Sequence, residues 1–211
     1  MKQTIFTLIA LLIFASSAYA KEAAPSTALI RAEESLAGIK KLKADVKFHI
    51  LLKNLGFSFV LKAVYRYTPE SHVEISFRSI PAFFSKLINK GLKSSINPSG
   101  LPQNYGTDYK IESSKIQKIN KTSCYFIKLI PVAKVGPLKT VFLWISTVNY
   151  TIPKEMILYR DGMHITVYRK YDFIHHYYLT REAKADLNDP NADLEAAVRA
   201  EFRDYRINGS D

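Results

Sequence analysis

A single cysteine, Cys124, stands in this chain of 211 residues, so no disulfide can form within one molecule and the fold must rest on packing. Cys124 lies beside Tyr125 in a strand-like stretch, and no motif around it would depress its pKa, which marks it as a small buried hydrophobe and not a reactive thiol. Chemistry-bearing patterns are missing as well. There is no G-x-S-x-G, no H-E-x-x-H, no Cys-x-x-Cys and no glycine loop able to cradle a phosphate. Of the five histidines, His175 and His176 are adjacent and on a strand would point to opposite faces, so they could not share one ion. His49, His72 and His164 fall on separate strands without a carboxylate at ligand spacing. The carboxylates are scattered, and Asp161 is explained by a turn. Neither an enzyme nor a metal or cofactor site is expected.

Acid is in short supply: 19 Asp and Glu face 30 Lys and Arg, a formal charge of +11. Such a balance suits nucleic acid, anionic lipid or an acidic protein. Long apolar runs are scarce too. The one at the start, residues 5–14 behind Lys2, is shorter than the roughly 20 residues a membrane span requires. It leads into small residues ending Ala18-Tyr19-Ala20, and this order of charge, apolar run and Ala-x-Ala reads as a secretory signal peptide over residues 1–20. Cleavage after Ala20 would leave Lys21 at the new N-terminus, with no cysteine for lipid attachment, and a single domain over residues 21–211. Export argues against nucleic acid as a partner and leaves an anionic membrane surface as an option. The sequons at Asn120, Asn149 and Asn208 matter only in a eukaryotic secretory pathway.

What is present is hydrophobic periodicity. Pro25-Ser26 can open a helix, and Leu29, Ala32, Leu36 and Ile39 then recur at helical steps, predicting an amphipathic helix that ends near Lys41. The period then changes to that of strands over residues 44–53, 57–67 and 72–78, with Asn54-Leu55-Gly56 as the first hairpin turn. Residues 80–92 break from this pattern: Phe83, Phe84, Leu87, Ile88 and Leu92 form an apolar stripe opposite Lys86, Lys90 and Lys93. This short basic helix either packs on the sheet to complete the core or acts as a movable plug or membrane-touching element. Residues 93–107, rich in Ser, Gly, Pro and Asn, read as a long loop. Strands resume over 109–119, 124–130, 138–146, 152–160, 163–171, 177–183 and 196–207.

In residues 138–146 both phases are apolar, Val141, Leu143 and Ile145 on one face and Phe142 and Trp144 on the other, the pattern of a strand between two layers. Asp161-Gly162 predicts a two-residue hairpin with positive φ at both positions. About nine strands in hairpin succession with one or two helices define an α+β fold: a strongly curved antiparallel sheet, or unclosed β-barrel, whose concave face the helices cover.

The segments SCYFIKLIPVAK, LKTVFLWIS and IPKEMILYRDGMHITVYRKY resemble the strand series of the LolA-like outer-membrane lipoprotein-sorting proteins, in which a strand ending Leu-x-Pro is followed by a Leu-Trp-Ile/Val strand and a Pro-Lys-x-Glu strand. The first helix, LKADVKFHI and VYRYTPESHVEISF resemble that family's opening helix, first strand and Pro-centred strand pair. Two positions differ: Thr68 precedes Pro69 where carriers commonly have an arginine, and residues 78–107 offer a helix and loop where carriers place a further hairpin. The resemblance implies an open barrel with a helical lid and a hydrophobic cavity that shields acyl chains in the periplasm. The partner it implies is a lipid or acylated lipoprotein, bound by a monomer. On that reading Phe59, Phe77, Phe83, Phe84, Leu87, Ile88, Leu92, Phe142 and Trp144 form the hydrophobic cavity or its lid. The alternative is a periplasmic protein-interaction or envelope-sensor module of the same fold without lipid cargo.

Overall fold

A computed structural model of the chain describes residues 25–69, 72–77, 101–102, 105–132 and 137–209. The proposed signal peptide and the apolar stripe of residues 80–92 lie outside them. Among the described residues ten strands are present where about nine are expected: β1 (Leu42–Leu52), β2 (Phe57–Thr68), β3 (His72–Phe77), β4 (Tyr109–Ile119), β5 (Thr122–Pro131), β6 (Leu138–Ser146), β7 (Lys154–Tyr159), β8 (His164–Ile174), β9 (Tyr177–Asp189) and β10 (Leu194–Ile207). All neighbours are antiparallel, in the order β3-β2-β1-β10-β9-β8-β7-β6-β5-β4. Among the described residues the first and last strands therefore pair in the sheet interior, while β3 and β4, consecutive among these strands, form its two open edges.

Alternation fixes which face each strand buries. In β1, Leu42, Ala44, Val46, Phe48, Ile50 and Leu52 are buried, and the register sets them beside Leu61, Ala63 and Tyr65 of β2 and Ala196, Val198, Ala200 and Phe202 of β10. The same phase continues through every strand to Tyr109 and Ile111 of β4, and all these residues belong to one hydrophobic cluster. A sheet whose single face forms one cluster is curled around that face, and it remains unclosed between β3 and β4. Bulges assist the curl by adding local twist. Ala44 opposes both Asp204 and Tyr205, Asp204 taking a φ of 53°, and further register shifts fall at Glu112, Lys139 and the Lys170–Tyr171 step.

Among the described residues there are two helices, α1 (Pro25–Glu34) and the single turn α2 (Tyr105–Asp108). Helix α1 buries Ala28, Leu29 and Ala32 against the inner face, nearest β5 and β6. It stops at Glu34, short of Lys41. Its final turn tightens through the bonds Leu36 N–H to Glu33 O and Ala37 N–H to Glu34 O, and Gly38 takes a φ of 93° that helical backbone cannot follow. Leu36 and Ile39 are buried nonetheless, by a turn instead of a helix.

The exit from α1 is fastened by one side chain from the far end of the chain. Asn208 Oδ1 accepts from the N–H groups of Lys40 and Lys41 at 2.6 and 3.2 Å, and its amide donates to Gly38 O at 2.9 Å. The turn chemistry elsewhere also differs in one place from expectation. The β7–β8 hairpin has positive φ at Gly162 but not at Asp161, whose carboxylate instead accepts the Met163 N–H at 3.1 Å; this is a type I turn closed by a left-handed glycine. His175 and His176 are turn residues and not strand residues, both left-handed, at φ 46° and 71°.

On the outer face, Glu182 binds Lys170, Lys184 and Arg199, and Glu201 binds Arg199 and Arg203. Burial favours the protonated Glu182 carboxyl, but the bonds from Lys170 and Arg199 outweigh it and hold its pKa below the ordinary carboxylate value. Its stabilising effect is thus complete above the unfolded-state pKa of about 4.3 and is lost as pH falls below that. In denaturant titrations between pH 7 and pH 3, wild type should lose stability more steeply below about pH 4.5 than Glu182→Gln; parallel curves would assign the acid sensitivity elsewhere. Asn208→Ala should lower the unfolding free energy by about 1–2 kcal/mol through loss of its charge-free backbone bonds, measured by urea denaturation.

Candidate functional site

The candidate site is the inner wall of the curled sheet. Strand β6 sends Val141, Leu143 and Ile145 into it, Ile127 and Leu129 of β5 lie alongside, and Val46, Phe48 and Ile50 face them from β1. Phe59 and Phe77 stand on this wall as well. Phe59 pairs with Ile50 and is half-buried, its ring 5.6 Å from Phe57; Phe77 pairs with Ala63, its ring 5.5 Å from Phe48.

Phe142 and Trp144 occupy the opposite, outer wall. There Phe126 stacks on Phe142 at 5.7 Å and packs against Trp144 at 4.9 Å, Trp144 Nε1–H donates to Gln117 Oε1 at 2.8 Å, and Lys154 Nζ lies 4.4 Å from the indole centroid. The structure therefore brings Phe59 and Phe77 to one face and sets Phe142 and Trp144 on the other. Two apolar phases predict a second layer over β6; among the described residues the outer phase is covered by neighbouring aromatics and by lysine stems, which cover apolar surface while keeping their charge in water. Cys124 shares this outer phase, fully buried, and burial pushes its thiol pKa up. The outer wall also carries a groove of about 400 Å³ between β2, β1, β10 and β9, edged by His49, Leu51, Val60, Lys184, Asp186 and Arg199.

The inner wall is not apolar throughout. Glu155 of β7 and Arg169 of β8 point into it, both side chains 2 % exposed, and Arg169 Nη2 donates to Glu155 Oε2 at 2.6 Å. Burial pushes the Glu155 carboxyl pKa up against the pull of Arg169, while for Arg169 the carboxylate and Tyr171 more than offset the cost of burial and raise its pKa. Nearby, Tyr171 Oη donates to Ile152 O at 2.9 Å and accepts from the Ile152 N–H at 3.2 Å, and Tyr205 Oη donates to Thr180 O. Tyr65 completes this belt from β2. A further hydroxyl, Tyr105 Oη of α2, donates to Glu33 Oε2 of α1 at 2.9 Å and ties the two helices together.

The Glu155–Arg169 pair has a signal in the sequence that composition and motif reading pass over. Glu155 stands in the phase of Ile157 and Tyr159, and Arg169 in the phase of Ile165 and Val167, so opposite charges occupy the apolar phase of two hairpin-linked strands. The register places Glu155 opposite Val167, one diagonal step from Arg169. Among the described residues no cluster of three or more His, Cys, Asp or Glu side chains forms a metal site, and no helix is long and apolar enough to cross a membrane.

No protein-family model matches the chain, and no curated protein matches it in sequence. Solved structures do match in shape. A LolA superfamily protein from Nitrosomonas europaea superposes with a TM-score of 0.61 at 12% identity, covering 88% of this chain and 94% of that one. A domain named for outer membrane lipoprotein sorting, from Vibrio parahaemolyticus, gives 0.58 at 11% identity over 87% and 92%. A DUF1329 family protein from Desulfovibrio piger gives 0.58 at 8% identity over 88% and 93%. At such identities the likeness is one of fold: this chain has the LolA-like fold, an open, curled antiparallel sheet.

The buried pair yields a test. Removing one partner leaves an uncompensated charge, so Arg169→Met alone should cost about 3–5 kcal/mol of stability, and Glu155→Leu combined with Arg169→Met should restore most of it. Urea unfolding of the wild type, both single variants and the double variant measures the coupling; additive losses would show that the two groups act independently.

Proposed function

We propose that this protein is a periplasmic, non-enzymatic binder of lipid or lipoprotein acyl chains, held against the inner wall of the curled sheet and protected there from water. The observation that carries the reading is the continuous apolar surface of that wall, drawn from all ten strands and left open along the β3–β4 seam. The LolA-like fold supports it, since two of the matched structures carry names that refer to LolA or to lipoprotein sorting. The secretion-like N-terminal segment supports an exported location. The fold alone would not suffice, because one scaffold can host unrelated functions.

The energetics are adequate. Each methylene removed from water contributes about 0.8 kcal/mol, so one long acyl chain can compete with the side chains that cover the wall in its absence. On this reading Phe59 and Phe77 contact the chain directly. Phe83, Phe84, Leu87, Ile88 and Leu92 supply the cover, for the connection that carries them leads from one edge of the sheet to the other. Phe142 and Trp144 serve the outer wall instead. The basic surface favours release or loading at anionic membranes, and the working unit is the monomer.

Purification of the full chain from a membrane-containing lysate, followed by native mass spectrometry, should show bound lipid, and a fluorescent acyl probe should be taken up by the delipidated protein. Phe59→Asp should weaken probe binding about tenfold with the fold intact, as expected from losing one aromatic contact. Absence of both co-purified lipid and probe uptake would favour a protein-interaction module without lipid cargo.

A further inference from the structure

One polar group of the inner wall lacks a hydrogen-bond partner among the described residues. Tyr65 is 2 % exposed, its ring set edge-on against Phe202 at 5.7 Å, and among the described residues its hydroxyl has no hydrogen-bond partner. The other tyrosines of the belt do not share this condition: Tyr171 and Tyr205 are tied to the carbonyls of Ile152 and Thr180. A buried hydroxyl without an acceptor is a standing cost to the folded state, and native proteins seldom carry one without use.

The surroundings define what the hydroxyl could take. Arg169 is the nearby cation, with Tyr67 and Tyr205 also close enough to act on Tyr65 electrostatically. Arg169 is already matched by Glu155 at 2.6 Å, so the belt is charge-balanced as it stands. An incoming carboxylate would put a second anion beside one guanidinium in a buried place, and desolvation of that anion would go uncompensated. A neutral carbonyl oxygen brings no such penalty and requires only a donor. Burial keeps Tyr65 protonated far into the alkaline range, so a donor is what it supplies.

We propose that Tyr65 Oη is a hydrogen-bond donor to the ester or amide carbonyl of an acyl chain lying on the inner wall, and that the site thereby selects esterified or amidated acyl groups over free fatty acids. The inference rests on the acyl-binding reading and adds to it the chemistry of the head. The hydrocarbon lies on the wall of Val46, Phe48, Leu143 and Ile145, and the carbonyl reaches the tyrosine belt, where the sheet's inner face turns polar.

The test uses the full chain, delipidated, with lauric acid methyl ester, lauric acid and dodecane as competitors of a fluorescent acyl probe at pH 7. Wild type should bind the ester about tenfold more tightly than the acid, and Tyr65→Phe should lower ester affinity about tenfold while leaving dodecane unchanged, the effect of one buried hydrogen bond. The melting temperature of the unliganded Tyr65→Phe protein should be unchanged or higher, by up to about 2–4 °C, since the lost hydroxyl has no partner to forfeit. A lower melting temperature would mean that the hydroxyl serves the fold, and the proposal fails. It also fails, with acyl binding left standing, if wild type binds acid and ester alike or if Tyr65→Phe weakens all three ligands equally. If wild type binds none of the three, the acyl-binding reading itself fails and takes this inference with it.

Discussion

The pairing of β1 with β10 is the constraint on which the rest of the molecule depends. Without it the chain would form two separate meanders, β1 to β3 and β4 to β10, each with an apolar face too broad to leave in water. The ten register pairs between Leu42–Leu52 and the segment from Ala196 to Ile207 join them into one surface. They also bring Asn208 to the exit of α1, so the same contact that merges the sheets anchors the helix lying on them. This contact spans nearly the whole described chain, so its loop-closure entropy is larger than that of the hairpin pairings around it.

Strand content was legible in the sequence because alternation is a local property. The β1, β2 and β6 segments announce their inner phase residue by residue, and the two apolar phases of β6 are real. What alternation does not encode is which phase faces the interior, since Phe142 and Trp144 are as apolar as Val141 and Leu143. That choice is made by neighbours: Phe126, Gln117 and Lys154 are placed to sheathe the indole only once β4, β5 and β7 are in register. The end of α1 departs from the sequence period for a similar reason. Leu36 and Ile39 continue a helical period, yet Gly38 and the cap from Asn208 fold them inward by a tighter path. The buried Glu155–Arg169 pair was readable from phase but looks like surface charge until the register sets the two residues on one diagonal.

The inner wall thus combines two kinds of surface. Toward β5, β6 and β1 it is mainly apolar, with Tyr125 of β5 among its residues; toward β7 and the ends of β2, β8 and β10 it carries an ion pair and three tyrosines. The tyrosines Tyr171 and Tyr205 serve the fold through their bonds to Ile152 and Thr180, whereas a buried ion pair often contributes no more than well-packed apolar side chains would. On the acyl-binding proposal, an amphiphilic occupant would meet on this wall one surface for each of its ends.

Trp144 is the only tryptophan of the chain, and it sits with its back to the interior, bonded to Gln117 and roofed by Lys154. Its emission is consequently a gauge of the packing of the β4–β7 half of the sheet, a built-in dye for the molecule's own assembly. On the acyl-binding proposal, a titration of the inner wall would call for a dye brought from outside, since the indole does not face that wall.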